Sequence, residues 1–102
     1  MSLKKQYLKT KPICKVTFRI EAEQVPDADK VFLLGDFNKW DPQKNPMTRL
    51  KNGAFKTILD LEPGHHYQFR YLIDENKWEN DDSADKYVLN AFGTDENSVL
   101  IV

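Results

Sequence analysis

Tyr67, Phe69, Tyr71 and Ile73 alternate with Gln68, Arg70, Leu72 and Asp74. A period of two becomes one buried and one open face only in an extended strand. The same alternation sets Val16, Phe18, Ile20 and Ala22 against Lys15, Thr17, Arg19 and Glu21. Nowhere does the 3.6-residue period of a long amphipathic helix appear. Turn signals fill the spaces between. Pro26, Asp27 and Asp29 break the chain before a short apolar run, Val31 to Leu34, which ends at Gly35-Asp36. Asn38 to Pro46 is polar and carries two prolines, which makes it a loop. Asn52-Gly53 predicts a tight primed hairpin turn, since both residues tolerate positive φ, between a short segment at 47–50 and a strand over 54–61.

Pro63-Gly64 makes the next turn, and Asp74 to Lys77 closes a hairpin that hands the chain to Trp78. Residues 81–85 read as a charged loop, 87–89 as a short strand and 90–97 as a loop. Residues 98–102 read as a final apolar strand, exposed and available for pairing between subunits. The pattern predicts an all-β, immunoglobulin-like sandwich of about seven short antiparallel strands. Residues 13–102 form this single domain, and 1–12 form a basic arm ahead of it.

With 102 residues there is room for one modest core. No apolar run is long enough to span a bilayer and none resembles a secretory leader, so a cytoplasmic protein without a membrane partner is expected. Cys14 is the only cysteine and reads as a buried structural thiol, in keeping with a reducing compartment. Fifteen Lys and Arg against sixteen Asp and Glu give a net charge of −1, without the basic excess that a nucleic-acid partner requires. The charge is uneven, however. Lys4, Lys5, Lys9, Lys11 and Lys15 make one end basic, whereas 74–85 is acidic, an arm and a loop expected to be solvated and to attract one another.

No catalytic constellation emerges, and a non-enzyme is expected. Glycoside hydrolysis needs two carboxylates across a deep cleft, and the acidic residues here fall in loops of a small domain. Cys14 has no nearby base, and the adjacent His65 and His66 would point to opposite faces of a strand. Asp74-Glu75-Asn76 and Asn80-Asp81-Asp82 offer oxygens that suit Ca²⁺. The EF-hand spacing fails, lacking Gly at the sixth position and Glu at the twelfth, so no metal or other cofactor is expected.

The tryptophans are more informative. Trp40 lies between Lys39 and Asp41, and Trp78 between Lys77 and Glu79. Two readings are open for each ring: a plug folded over an end of the sandwich, or a flat face on which a pyranose stacks its C–H groups. In the second reading the sugar hydroxyls need donors and acceptors, which Arg70, Thr94 and Asn97 supply.

VFLLGDFNKWD, from Val31 to Asp41, resembles the strand–loop signature of isoamylase N-terminal early-set domains and of the glycogen-binding domain of the AMP-activated protein kinase β subunit, both in carbohydrate-binding module family 48. The likeness continues through Gly53-Ala54-Phe55, Leu59-Asp60-Leu61 with Pro63-Gly64, YQFRYLID from Tyr67 followed by Trp78, then Asn90, Phe92-Gly93-Thr94 and Asn97-Ser98-Val99. It covers roughly residues 14–102. The resemblance implies an immunoglobulin-like early-set sandwich that binds glycogen, starch-like chains and cyclic maltodextrins. It implies that Trp40 and Trp78 are the stacking pair, that Arg70 replaces a hydroxyl-binding lysine, and that Phe92 replaces a leucine reaching into a cyclic oligosaccharide. Thr94 matches a site threonine, and Glu96 or Asn97 falls at a site asparagine, with Asn97 the better chemical match. In many relatives such a module precedes the catalytic barrel of a branching or debranching enzyme, for which 102 residues leave no room. The expectation is therefore a free-standing module, or one that recruits a glycogen-metabolising enzyme. The alternatives are a scaffold domain that has lost its sugar, or a fragment of a branching or debranching glycosidase.

Overall fold

The computed structural model describes residues 1–102 and contains two antiparallel sheets packed face to face. Strands β1 (Ser2–Tyr7), β2 (Cys14–Ile20), β5 (Phe55–Leu61) and β4 (Thr48–Arg49) make the first sheet, in the order β1-β2-β5-β4. The second has the order β3 (Val31–Gly35), β6 (His66–Ile73), β9 (Glu96–Ile101), β8 (Lys86–Leu89), and β7 (Lys77–Glu79) also pairs with β6. No helix is long and apolar enough to cross a membrane.

The period-two segments do what their pattern requires. Cys14, Val16, Phe18 and Ile20 point inward from β2 and are fully buried, as is the free thiol of Cys14. They meet Phe69 and Tyr71 of β6, with Phe18 and Phe69 edge to face at 5.4 Å between ring centroids, a preferred aromatic geometry. Gly35 ends β3 where no other residue fits: a Cβ there would lie 2.6 Å from the Gln68 carbonyl oxygen and 2.8 Å from Phe69 Cβ.

Four expectations change. Residues 2–7, read as part of a basic arm, form β1, paired with β2 from Ser2↔Arg19 to Tyr7↔Cys14. A lysine-rich strand is a common way to blunt a sheet edge. The attraction between basic and acidic segments is real, because Lys5 Nζ lies 2.8 Å from Asp85 Oδ2. The last strand is not an edge. β9 is sandwiched between β6 and β8, and Val99 and Leu100 are buried, so it has no free side for another subunit. Asn52-Gly53 does not form a two-residue primed turn. Only Gly53 has positive φ (88°), and its N–H donates to the Leu50 carbonyl at 3.0 Å, while Leu50 N–H donates to the Ala54 carbonyl. This is a three-residue loop closed by a left-handed glycine.

Asp81, expected in a solvated loop, is buried. Its Oδ2 accepts the Tyr71 hydroxyl at 2.6 Å and its Oδ1 accepts Ser83 N–H at 2.7 Å. Burial pushes this carboxyl above the usual carboxylate range despite both hydrogen bonds. Burial, reinforced by the facing carboxylate, also pushes the Tyr71 phenol well up.

Candidate functional site

The outer face of the second sheet holds the candidate residues, and β6 organises it. Its outward side chains are Gln68, Arg70 and Leu72, the residues between the inward Phe69, Tyr71 and Ile73. On one side residues 69–73 of β6 pair with β3, Leu34 facing Arg70 and Phe32 facing Leu72. On the other it changes partner. Residues 66–69 pair with β9, whereas 71–73 pair with β7. Arg70 sits at the fork.

Asn80 and Ser98 staple that fork. Asn80 Nδ2 donates to the Glu96 carbonyl at 3.0 Å, Ser98 Oγ donates to Asn80 Oδ1 at 2.8 Å, and Asp81 N–H donates to Ser98 Oγ at 2.9 Å. Trp78 pairs with Leu72, so its ring emerges on the same outer face, 45% exposed. The Arg70 guanidinium carbon lies over it, 4.9 Å from the ring centroid, within cation–π range. Arg70 thus covers part of one face of the indole.

Trp40 reaches the sheet from the β3 side. The Asp36–Asn38 turn follows Gly35, and Lys39 and Trp40 then both take left-handed backbone, with φ of 58° and 57°. For a bulky aromatic residue this is a strained conformation, costing on the order of 1 kcal/mol or more. Asn38 maintains it. The buried Asn38 side chain accepts N–H bonds from Gly35 at 3.0 Å and Trp40 at 3.1 Å, and donates to the Leu33 carbonyl and to Asn45. Asp36 then fixes the ring, accepting Trp40 Nε1–H on Oδ1 at 3.0 Å and Gln68 N–H on Oδ2 at 2.8 Å. Trp40 is therefore tied to β6 at Gln68, and Trp78 is paired with β6 at Leu72. Four residues of strand separate these anchor points, about 13 Å, with Arg70 midway.

Asn97 extends the row onto β9. Its Nδ2 donates to Gln68 Oε1 at 3.0 Å, while its Oδ1 and the Arg70 Nε are buried without a hydrogen-bond partner. Buried polar atoms are rarely left so, and each such atom calls for a water or ligand group. Phe92 and Thr94 lie in the loop between β8 and β9. Asn90 shapes this loop, its Oδ1 accepting N–H bonds from Phe92 and Thr94, both at 3.1 Å. The result displays Phe92 at 87% exposure, and Leu89 at the end of β8 is also exposed.

The structure thus gathers Arg70, Trp78 and Asn97 at the fork, ties Trp40 in from the opposite edge, and holds Phe92 and Thr94 on an adjoining loop. Asp36, Asn38, Asn80 and Asn90 form the support, and sequence reasoning gave none of them that task. Short-range Asx geometry carries a signal for Asn38 and Asn90, whereas Asp36 and Asn80 act on residues remote in the chain. Two cavities, of about 280 and 420 Å³, lie elsewhere, around Val25 and Pro26, and none of the six residues lines either. The candidate site is an open, aromatic-studded surface.

The family model described as the glycogen recognition site of AMP-activated protein kinase matches residues 16–102. The chain belongs to that family. This glycogen recognition domain is also similar to 1,4-alpha-glucan branching enzymes GlgB. It is 41% identical to that of Photobacterium profundum over 59 residues, 57% of this chain and 8% of the enzyme. It is 38% identical to GlgB 1 of Xanthomonas axonopodis pv. citri over 47 residues, 44% of this chain and 6% of the enzyme. The domain thus spans less than a tenth of the length of these relatives.

Proposed function

We propose that this domain binds α-1,4-linked glucans, glycogen and maltodextrins, without catalysis, by stacking sugar rings on Trp40 and Trp78. Phe92 adds an apolar contact, and Arg70, Thr94 and Asn97 address the hydroxyls. The observation that carries the reading is the fork itself, where a half-exposed tryptophan stands against a guanidinium and the polar side chains of Gln68 and Asn97 lie on the same face. Stacking removes apolar area from water at about 25 cal/mol per Å² while leaving the hydroxyls to polar neighbours. A shallow site of this kind binds weakly, with Kd on the order of micromolar to millimolar.

Two carboxylates at the row already have structural work. Asp36 uses both oxygens to fix Trp40 and Gln68, and Asp81 is buried beneath the fork. This supports a binding role over a hydrolytic one. In this reading the domain acts in the cytoplasm, where a lone free thiol is stable, and brings a glucan-acting enzyme to its polymer, attached or separate, by raising local concentration. Calorimetric titration with maltoheptaose and cellohexaose tests it. Saturable binding of the first alone supports the proposal, and equal or absent binding of both refutes it. A second reading, a protein-docking surface, is favoured by two large apolar side chains, Leu89 and Phe92, that are both exposed within a short stretch of chain. It predicts that Leu89→Ser leaves glucan affinity untouched.

A further inference from the structure

The first sheet is basic: its strands hold six Lys and Arg against one acidic residue, whereas the strands of the second hold three against two. Residues 1–24 and 48–61, which include the whole first sheet, hold nine Lys and Arg against three acidic residues, whereas the remaining segments hold six against thirteen. A net charge near zero conceals a basic first sheet and an excess of acid in the loops outside it.

On the outer face of the first sheet the strand register sets side chains in rows. Arg19 lies directly opposite Lys56, Thr17 lies between Lys4 on β1 and Ile58 on β5, and Lys15 lies opposite Asp60. Lys15 is paired, its Nζ 3.2 Å from Asp60 Oδ1, and Arg19 Nε is 2.8 Å from Glu21 Oε1. Lys4 and Lys56 have no carboxylate partner. Like charges directly opposite one another weaken a sheet, so the Arg19–Lys56 pair works against the fold. Ile58, 46% exposed, supplies an apolar centre.

We propose that this face, built from Lys4, Lys15, Thr17, Arg19, Lys56 and Ile58, is a docking surface for the acidic surface of a partner protein. Charge complementarity selects the sign of the partner. The class follows from what is mixed into the face: an exposed isoleucine and the carboxylates of Asp60 and Glu21 suit a protein surface and oppose a polyphosphate backbone. Strands β1, β2 and β5, six or seven residues each, present a plane of roughly 20 Å by 15 Å, less than half the area one partner contributes to a standard stable interface. The complex is therefore transient and salt-sensitive. The face lies on the opposite side of the sandwich from Trp40 and Trp78, so a docked partner leaves the aromatic row open. The proposal does not depend on what that row binds.

Nuclear magnetic resonance titration of the ¹⁵N-labelled protein with a twenty-residue polyglutamate peptide tests this, with a short DNA duplex and phosphatidylserine vesicles as parallel probes. The expected result is a set of amide shifts confined to β1, β2 and β5, unchanged by saturating maltoheptaose. Lys56→Glu should lower peptide affinity about tenfold while raising the melting temperature, because it replaces a repelling pair with an attracting one. Lys4→Glu, on an exposed residue, should lower affinity without altering stability. Shifts spread equally over Lys30, Lys39, Lys44 and Lys77 would overturn the proposal, as would unchanged affinity in both variants. Tighter binding of DNA or vesicles than of peptide would overturn the assignment to a protein partner.

Discussion

The indole N–H of Trp40 donates to Asp36 Oδ1 at 3.0 Å, and the other oxygen of the same carboxylate accepts Gln68 N–H at 2.8 Å. One short side chain thereby stands in for a missing rung of the β3–β6 ladder and orients an aromatic ring over it. Charge-assisted hydrogen bonds of this type contribute about 1.5–3 kcal/mol each when neither group is solvated, and less at an exposed site. Asp36→Ala should leave the domain folded, lower its stability by about 1–2 kcal/mol, and weaken β-cyclodextrin binding several-fold by freeing the ring. Calorimetry beside thermal unfolding checks this. An affinity equal to that of the parent would mean that the orientation of Trp40 does not matter.

Arg70 and Trp78 form the second relationship. The guanidinium 4.9 Å from the ring centroid restrains the indole and covers part of one face. Arg70→Ala should reduce glucan affinity about three- to tenfold, with stability changed by no more than about 1 kcal/mol. Arg70→Lys keeps the charge and loses the planar fork, so it should recover only part of the binding. Full recovery by lysine would show that charge alone was needed.

Phe92 should separate ring-shaped from linear ligands. At 87% exposure its truncation to Ala should change stability by less than about 0.5 kcal/mol. If the ring enters the cavity of a cyclic oligosaccharide, Phe92→Ala weakens β-cyclodextrin more than maltoheptaose. Equal losses for the two sugars would indicate simple side-on contact.

Asp85 gives the fold a defined pH dependence. Partial burial acts to raise its carboxyl, but N–H donation from Ile101 and the hydrogen bond and charge of Lys5 outweigh this and hold it below 3.8. A carboxylate depressed in the folded state adds stability that is present above its unfolded value and lost as pH falls through the folded one. Asp85→Asn should therefore be less stable than the parent at pH 7, by about 1 kcal/mol, with the difference vanishing near pH 2. Melting temperatures across that range test it, and a gap that persists at the acid end would implicate packing instead.

Much of this architecture is legible in the chain, and the gaps have physical causes. β2 and β6 follow from alternation because each buries one whole apolar face. β1 does not, since Leu3 is its chief apolar inward residue and inward Lys5 is satisfied by Asp85, eighty positions away. Asp81 reads as one more acid in a polar loop, and only the remote Tyr71 hydroxyl and Ser98 account for its burial. Trp40 and Trp78 stand out because large rings amid charges need an explanation. Their alignment along β6 depends on Asp36 and on a three-residue strand, β7, for which local sequence carries little signal.

If Trp40 and Trp78 form one site, both contact the same glucan. The chain has only these two, so Trp40→Phe and Trp78→Phe are single-tryptophan proteins whose fluorescence reports one position each. Titrated with β-cyclodextrin, each should show a saturable change, with apparent affinities weakened relative to the parent. If neither emission moves at high millimolar sugar while both variants remain folded, the rings do not form a glucan site, and the account fails there.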